Sequence, residues 1–340
     1  MILLEKMKAP NLFVFNPEHD LALAADLTNP YTPPASVLKL KKNLSLLPAS
    51  FADNGDFILI PDNIPSSEFS RLPFLEVCRE KNIKIVTPSQ SNFAQLHFHR
   101  VIPWGWDLAL KKLLLDLNIE PDILPSDQNL SDIRDLSHRR LTIPFRKSVC
   151  DFLREEIHLP ATELFSIDDV TRFLQDYPLC YLKAPWSSSG RGIIVSDHIS
   201  EKGLFEWAHG TLKRQGSILA EPKWSRILDF ATEWFIDKNE VFFIGYSLFE
   251  TSSRGKYHGN SRAPQEEILK TINSVTNLDP HIIEAQKKAL QELVAPRYSG
   301  PLGIDMLADN NGRINYCVEI NLRLTMGFIN LKNGIEKLKE

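Results

Sequence analysis

The sequence predicts a mixed architecture, a parallel α/β domain at the N-terminus followed by an α+β region. Three observations predict it. Short apolar runs closed by proline flank an amphipathic stretch early in the chain, as in strand–helix–strand units of a parallel sheet. A strand ending in Lys183 runs into a Ser/Gly loop and a second strand. Near the C-terminus, two apolar strands are joined by Asn310-Asn311-Gly312, a strong hairpin turn.

Asn11-Leu-Phe-Val-Phe15 opens the first domain as a buried strand, and Asn16-Pro17 closes it with a turn. Asp56-Phe-Ile-Leu-Ile60 and Ile83-Lys-Ile-Val86 follow the same plan, with Ser67 to Lys81 between them as a helix. Residues 104 to 140 read as largely helical, clearest over Asp107 to Leu115, with Pro121, Pro125 and Pro144 as breaks. A helix over Ser148 to Ile157, the Pro160 break, a helix over Ile167 to Asp176 and the strand Leu179 to Lys183 complete the approach to the Ser/Gly loop.

The chain of 340 residues, 43% hydrophobic and 24% charged, is long enough for two or three domains. Its net charge of -4, without a long single-sign run, gives no footprint for nucleic acid or an anionic membrane surface. Charges within Met1 to Lys8 interrupt the apolar core a signal peptide needs, and no later run reaches membrane-span length, so a cytoplasmic protein is expected. Cys78, Cys150, Cys180 and Cys317 form no C-x-x-C pair and are expected as reduced, buried thiols.

Tyr181-Leu-Lys183-Ala-Pro-Trp-Ser187-Ser-Ser-Gly190-Arg-Gly192 has the chemistry to wrap a phosphate: glycines admit close approach, N–H groups and hydroxyls donate, and Lys183 adds a charge. No Walker loop is present, since the lysine precedes the glycines. Taken alone, the segment also fits a flexible hairpin. The Asn-Asn-Gly turn can bring Asp305 and Glu319 side by side, hard oxygen ligands suited to magnesium beside substrate phosphates. Pairing of Glu319 with Arg323 on a solvated strand end is the alternative, and Asp309 reads as serving the turn.

Together these segments resemble the ATP-grasp superfamily, in the family's order, over residues 145 to 330. The resemblance implies a pre-ATP-grasp-like α/β domain over residues 1–125, a helical connector over 126–144, a small ATP-grasp subdomain over 145–218 and a large one with the metal site over 219–340. It implies that Lys183 and one of Arg146-Lys147, with Lys147 preferred, contact ATP phosphates, and that Ser187, Ser188, Ser189, Gly190 and Gly192 form the phosphate lid. Glu221, Lys223 and Trp224 fall on the family's adenine-reading hinge, and Asp229 on the ribose. Asp305, Glu319 and Asn321 resemble its metal ligands, for two magnesium ions that manganese can replace, and Arg323 the arginine that supports the reacting group. Leu322 departs from the pattern, where proline often follows the asparagine.

The implied reaction activates a small-molecule carboxylate as an acylphosphate for capture by an amine. Lysines, arginine and magnesium meet the needs of phosphoryl transfer without a nucleophilic side chain. Other outcomes for the same site are a kinase or phosphotransferase and a nucleotide-binding protein without catalysis. Homodimers, common in the family, are the assembly to test. The irregular stretch Thr251 to Pro264, with Arg254, Lys256, His258 and Arg262, reads as a basic loop over an anionic substrate or a solvated one. In the turn Asn16-Pro-Glu-His19-Asp20, at a strand end where open α/β sheets bind ligands, Asp20 can equally N-cap Leu21 to Ala25. His97 and His99 lack the further ligands of a metal site, and Trp104 and Trp106 read as packing at the domain junction.

Overall fold

A computed structural model describes residues 9–25, 32–90, 93–187, 192–251 and 257–339. The chain divides into two compact units, Met1–Ser131 and Asp132–Glu340.

In the first unit, β1 (Leu12–Val14), β2 (Phe57–Leu59), β3 (Lys84–Val86) and β4 (Val101–Pro103) form one sheet in the order β3-β2-β1-β4. All three pairings are parallel. β1 and β2 are buried at every residue, as expected of central parallel strands covered on both faces. α1 (His19–Ala24), α2 (Ala35–Asn43), α3 (Ser66–Phe69), α4 (Leu75–Glu80) and α5 (Leu108–Asp116) accompany the sheet. Leu110 and Leu114 of α5 join Leu12, Val14, Phe57 and Leu59 in the core.

Two helices expected from the sequence are drawn differently. The stretch from Ser67 to Lys81 is broken into α3 and α4, because Pro73 lies between them and Phe74 takes a left-handed φ of 67°. Asp20 lies in the first turn of α1, and the N-cap is Glu18, without a side-chain cap bond. Asp107 does cap a helix, accepting the Leu110 N–H at 2.9 Å at the start of α5.

α6 (Asp127–Leu136) leads into the second unit, where α7 (Thr142–Leu153) starts earlier than expected. Pro144 belongs to its first turn, where no intrahelical N–H bond is lost. A four-stranded antiparallel sheet follows, made of β5 (Thr162–Leu164), β6 (Cys180–Lys183), β7 (Ile193–Val195) and β8 (Ile218–Pro222) in the order β5-β8-β6-β7. α8 (Ile167–Asp176) and α9 (Glu201–Gln215) pack Val170, Phe173, Leu204 and Ala208 against it.

β9 (Arg226–Asp237), β10 (Glu240–Thr251), β11 (Tyr257–Asn260), β12 (Gly300–Asp309) and β13 (Ile314–Asn321) form the five-stranded antiparallel sheet β11-β10-β9-β12-β13. α10 (Gln265–Val275), α11 (Ile282–Leu293), α12 (Met326–Ile329) and α13 (Lys332–Lys339) complete the unit. By strand pairing β8 belongs to the four-stranded sheet, so the passage between sheets falls between Pro222 and Arg226, a few residues beyond position 219.

All four cysteines are buried and free. Among the described residues, no helix is long and apolar enough to cross a membrane.

Candidate functional site

β12 and β13 pair in the register that sets Asp305 opposite Glu319 and Gly303 opposite Asn321. The neighbouring strand β9 sets Ala231 opposite Asp305 and Glu233 opposite Gly303. Side chains alternate across a sheet, so Glu233, Asp305, Glu319 and Asn321 share one face. The strands shift register between Asp305 and Leu307, and the turn beyond is tightly held: Gly312 has a φ of 75°, and the carboxylate of Asp309 accepts the N–H groups of Asn311 and Arg313 at 2.9 and 3.0 Å. Asp309 thus serves the turn, with Arg313 on its other oxygen at 2.6 Å.

Asn321 links this face to Arg323, donating to Asp305 Oδ2 at 3.1 Å while its Oδ1 accepts from Arg323 Nη2 at 2.9 Å. Burial, then the charges of Glu319 and Glu233, push the Asp305 carboxyl well above its usual value. A cation would relieve that crowding, and the carboxylate and amide oxygens are hard donors, so the set fits a divalent ion such as magnesium. Among the described residues, no group of three or more His, Cys, Asp or Glu side chains is arranged to hold a metal. An ion held by Asp305 and Glu319 would need further ligands from Asn321, water or phosphate.

Lys183, at the end of β6, is buried and donates to Glu221 on the adjacent β8. Arg146 of α7 reaches the other oxygen of Glu221 and donates to Cys317 O at 3.0 Å and Leu159 O at 3.2 Å. Burial works against the charge of Glu221, but the cations of Lys183 and Arg146 more than offset it and hold the carboxyl down at about 2.

The basic side chain that α7 turns inward is thus Arg146 and not the preferred Lys147. Lys147 is 66% exposed and bonded to Asp151, one turn on along the same helix, at 2.6 Å. Adjacent helix positions point about 100° apart, so one residue's shift decides which is buried.

Ser187 is buried, and Gly192 lies so close that an added Cβ would meet Ser187 Cβ at 2.3 Å. Ser188, Ser189 and Gly190 lie outside the described residues, as do Arg254 and Lys256. The hinge segment contributes unevenly. Trp224 is buried with Arg313 over its ring at 6.0 Å, whereas Lys223 pairs outward with Asp197 and gives its N–H to Leu179 O at 2.8 Å. Asp229 sits on β9 beside Arg226 at 3.5 Å.

Two residues of this region escaped the sequence reading. Arg139, just before α7, is 3% exposed and bridges Ser187 Oγ and Glu319 Oε1, both at 2.7 Å. Its sequence signal was only the tandem Arg139-Arg140. Glu233 is buried and accepts from Ser247 Oγ at 2.7 Å and Thr325 Oγ1 at 2.8 Å. Burial pushes its carboxyl up to about 7 despite those hydrogen bonds. An acid inside the apolar run Phe230-Ala-Thr-Glu-Trp-Phe-Ile236 was the signal that could have found it.

In the first unit, the turn after β1 is knitted internally. Asn16 donates to Gly105 O at 2.8 Å and Asp107 Oδ2 at 3.2 Å, and His19 meets the same oxygen at 3.3 Å. His97 is exposed and pairs with Glu120 at 2.6 Å, and Trp104 packs edge-on against Phe15.

The family model described as "YheC/D like ATP-grasp" matches residues 148–241. Among curated proteins, the chain is 27% identical over 172 residues to the [Butirosin acyl-carrier protein]--L-glutamate ligase of Niallia circulans, covering 47% of this chain. The chain spans 36% of that relative's length. In fold it resembles biotin carboxylase from Campylobacter jejuni, with a TM-score of 0.57 at 14% identity over 98% of this chain and 71% of that one. It also resembles an L-amino acid ligase from Bacillus licheniformis, with a TM-score of 0.50 at 13% identity over 98% and 75% of the two chains.

Proposed function

We propose that this chain, a member of the ATP-grasp superfamily, is an ATP- and magnesium-dependent ligase that joins a small-molecule carboxylate to an amine in the cytoplasm. The observation that carries the reading is the pairing of Asp305 with Glu319 in one unit with the buried Lys183–Glu221–Arg146 cluster. Oxygen donors for a cation and fixed positive charges for phosphates are the two things phosphoryl transfer requires.

In this reading residues 1–125 are the preceding α/β domain, the four-stranded sheet with Ser187 and Gly192 belongs to the small nucleotide-binding subdomain, and the five-stranded sheet belongs to the large one. Lys183 and Arg146 bind phosphate oxygens, with Lys147 left on the outer face. Glu221 orients both cations, and the segment through Trp224 lines the adenine, with Asp229 beside the ribose. Asp305, Glu319 and Asn321 hold the magnesium, one ion or two, which draws charge from the γ-phosphate when bound. Arg323, fixed through Asn321, supports the reacting oxygens.

The substrate carboxylate oxygen attacks the γ-phosphorus and ADP leaves. The amine nitrogen then attacks the acylphosphate carbon, phosphate leaves with the bonding pair, and the amine proton is released. The name of the curated relative, a ligase of an acyl-carrier protein and L-glutamate, supports an amino acid as one of the two substrates.

The reading is tested by following ATP with phosphorus NMR over a panel of carboxylate and amino acid pairs. A ligase releases ADP and free phosphate in equal amounts only when both partners are present. Phosphate retained on a hydroxyl of one substrate would identify a kinase instead. Glu319→Gln should abolish magnesium-dependent turnover and leave the fold intact by circular dichroism, and full activity in that variant would remove Glu319 from the metal site.

A further inference from the structure

The ligase reading leaves one buried cation without a task. Arg139 Nη1 donates to Ala184 O at 2.5 Å and to Ser187 Oγ at 2.7 Å. Its Nη2 donates to Ser187 O at 3.5 Å and Glu319 Oε1 at 2.7 Å. One guanidinium therefore ties the first residue of the Ser/Gly loop to a carboxylate of the candidate metal face. The third donor, Nε, is shielded from solvent and has no partner among the described residues. A buried donor without an acceptor is costly, and in a binding site the missing acceptor is supplied by the ligand.

Charge points the same way. Lys183 and Arg146 share the single carboxylate Glu221, and Arg139 depends on Glu319 alone. Three buried cations thus become available to a polyanion once a metal takes the carboxylate face of Asp305 and Glu319. A cation on the Asp305–Glu319 face would compete with Arg139 for the charge of the Glu319 carboxylate, and one carboxylate does not hold both partners at full strength. Arginine, with a planar fork of five donors, is suited to moving from a carboxylate to a phosphate without changing its own geometry.

We propose that Arg139 is a further phosphate-binding residue that exchanges partners. In the nucleotide-free protein it holds Glu319 against Ser187. When a magnesium nucleotide enters, Glu319 turns to the cation and Arg139 turns Nη2 and Nε to phosphate oxygens, keeping its bond to Ala184 O. This rests on the ligase reading above and adds an exchange that couples nucleotide and metal binding.

The test is titration calorimetry on the full chain with two probes, manganese alone and AMP-PNP with magnesium. It compares wild type, Arg139→Gln and Arg139→Lys, each checked by circular dichroism. Arg139→Gln should bind manganese alone about threefold tighter or more, because Glu319 is released. The same variant should bind magnesium AMP-PNP about tenfold weaker or more, the fold-change expected for a lost charge-assisted bond. Arg139→Lys should recover part of the nucleotide affinity. Wild-type affinities for both probes, or a fall in both together in a folded variant, would overturn the exchange.

If Arg139→Gln does not fold, metal-free AMP-PNP is titrated into Glu319→Gln and Asp305→Asn. Both neutralise a carboxyl of the same face, and only the first frees Arg139, so about threefold tighter binding to Glu319→Gln is expected. Equal affinities overturn the proposal. Failure of the wild type to bind nucleotide at all would sink the ligase reading beneath it, a distinct result.

Discussion

Replacing Arg146 by methionine would leave Glu221 paired with Lys183 but strip the charge-assisted bond to its other oxygen, a loss of about 1.5–3 kcal/mol. Lys147→Ala removes an exposed i,i+4 pair worth about 0.3–0.5 kcal/mol at most. Urea denaturation of the two variants should therefore separate clearly, and similar midpoints would contradict the burial of Arg146. The sequence placed a basic residue on this turn without saying which of two neighbours faced inward. Helix phase decides that, and Pro144 obscured the phase by reading as a break when it lies in the first turn of α7. Arg139 was illegible for a related reason: its partners Ser187 and Glu319 are 48 and 180 residues away in sequence.

Within the five-stranded sheet, the hairpin was the most legible element. Asn310-Asn311-Gly312 made the hairpin readable, and it joins the two strands that carry Asp305 and Glu319; their final pairing also needs the register shift between Asp305 and Leu307, which no sequence signal gave. Glu233 was not legible, because its burial depends on Gly303 and Gly327, on β12 and α12, which come close to its oxygens. A Cβ at Gly327 would meet Glu233 Oε1 at 2.0 Å. Gly327→Ala should lower the melting temperature by several degrees, and an unchanged melt would argue against that close approach. Thr325 donates to Glu233 and accepts the Phe328 N–H at 2.9 Å, capping α12.

The same carboxyl has a pH signature. An ordinary glutamate near 4.5 is raised here to about 7 by burial, so across that window the unfolded chain loses a proton that the folded chain keeps. Stability contributed by this group falls as pH rises from 4.5 to 7, by on the order of 3 kcal/mol. Glu221 acts oppositely, since its stabilisation is lost as pH falls from 4.5 towards 2. Denaturation of metal-free protein should show the loss between pH 4.5 and 7 in wild type and a flatter profile in Glu233→Gln. Equal slopes in the two would exclude Glu233 as the source.

At the scale of the molecule, the alternation of apolar runs with turns disclosed a parallel sheet in the first unit, and its central strands β1 and β2 are buried throughout. β4 was missed, since Val101-Ile-Pro103 is three residues long and ends in proline, too short for periodicity to register. In the second unit the order of motifs was readable while the assignment of β8 was not, because strand pairing is a long-range property. The central claim is that this second unit binds a magnesium nucleotide through Lys183 and the Asp305–Glu319 face. Thermal melting with AMP-PNP, with and without magnesium, on wild type and Lys183→Ala tests it most directly, because a ligand of the folded state raises apparent stability by mass action. The account predicts a magnesium-dependent rise for the wild type that disappears in a folded Lys183→Ala variant. No rise in the wild type at saturating nucleotide would contradict it.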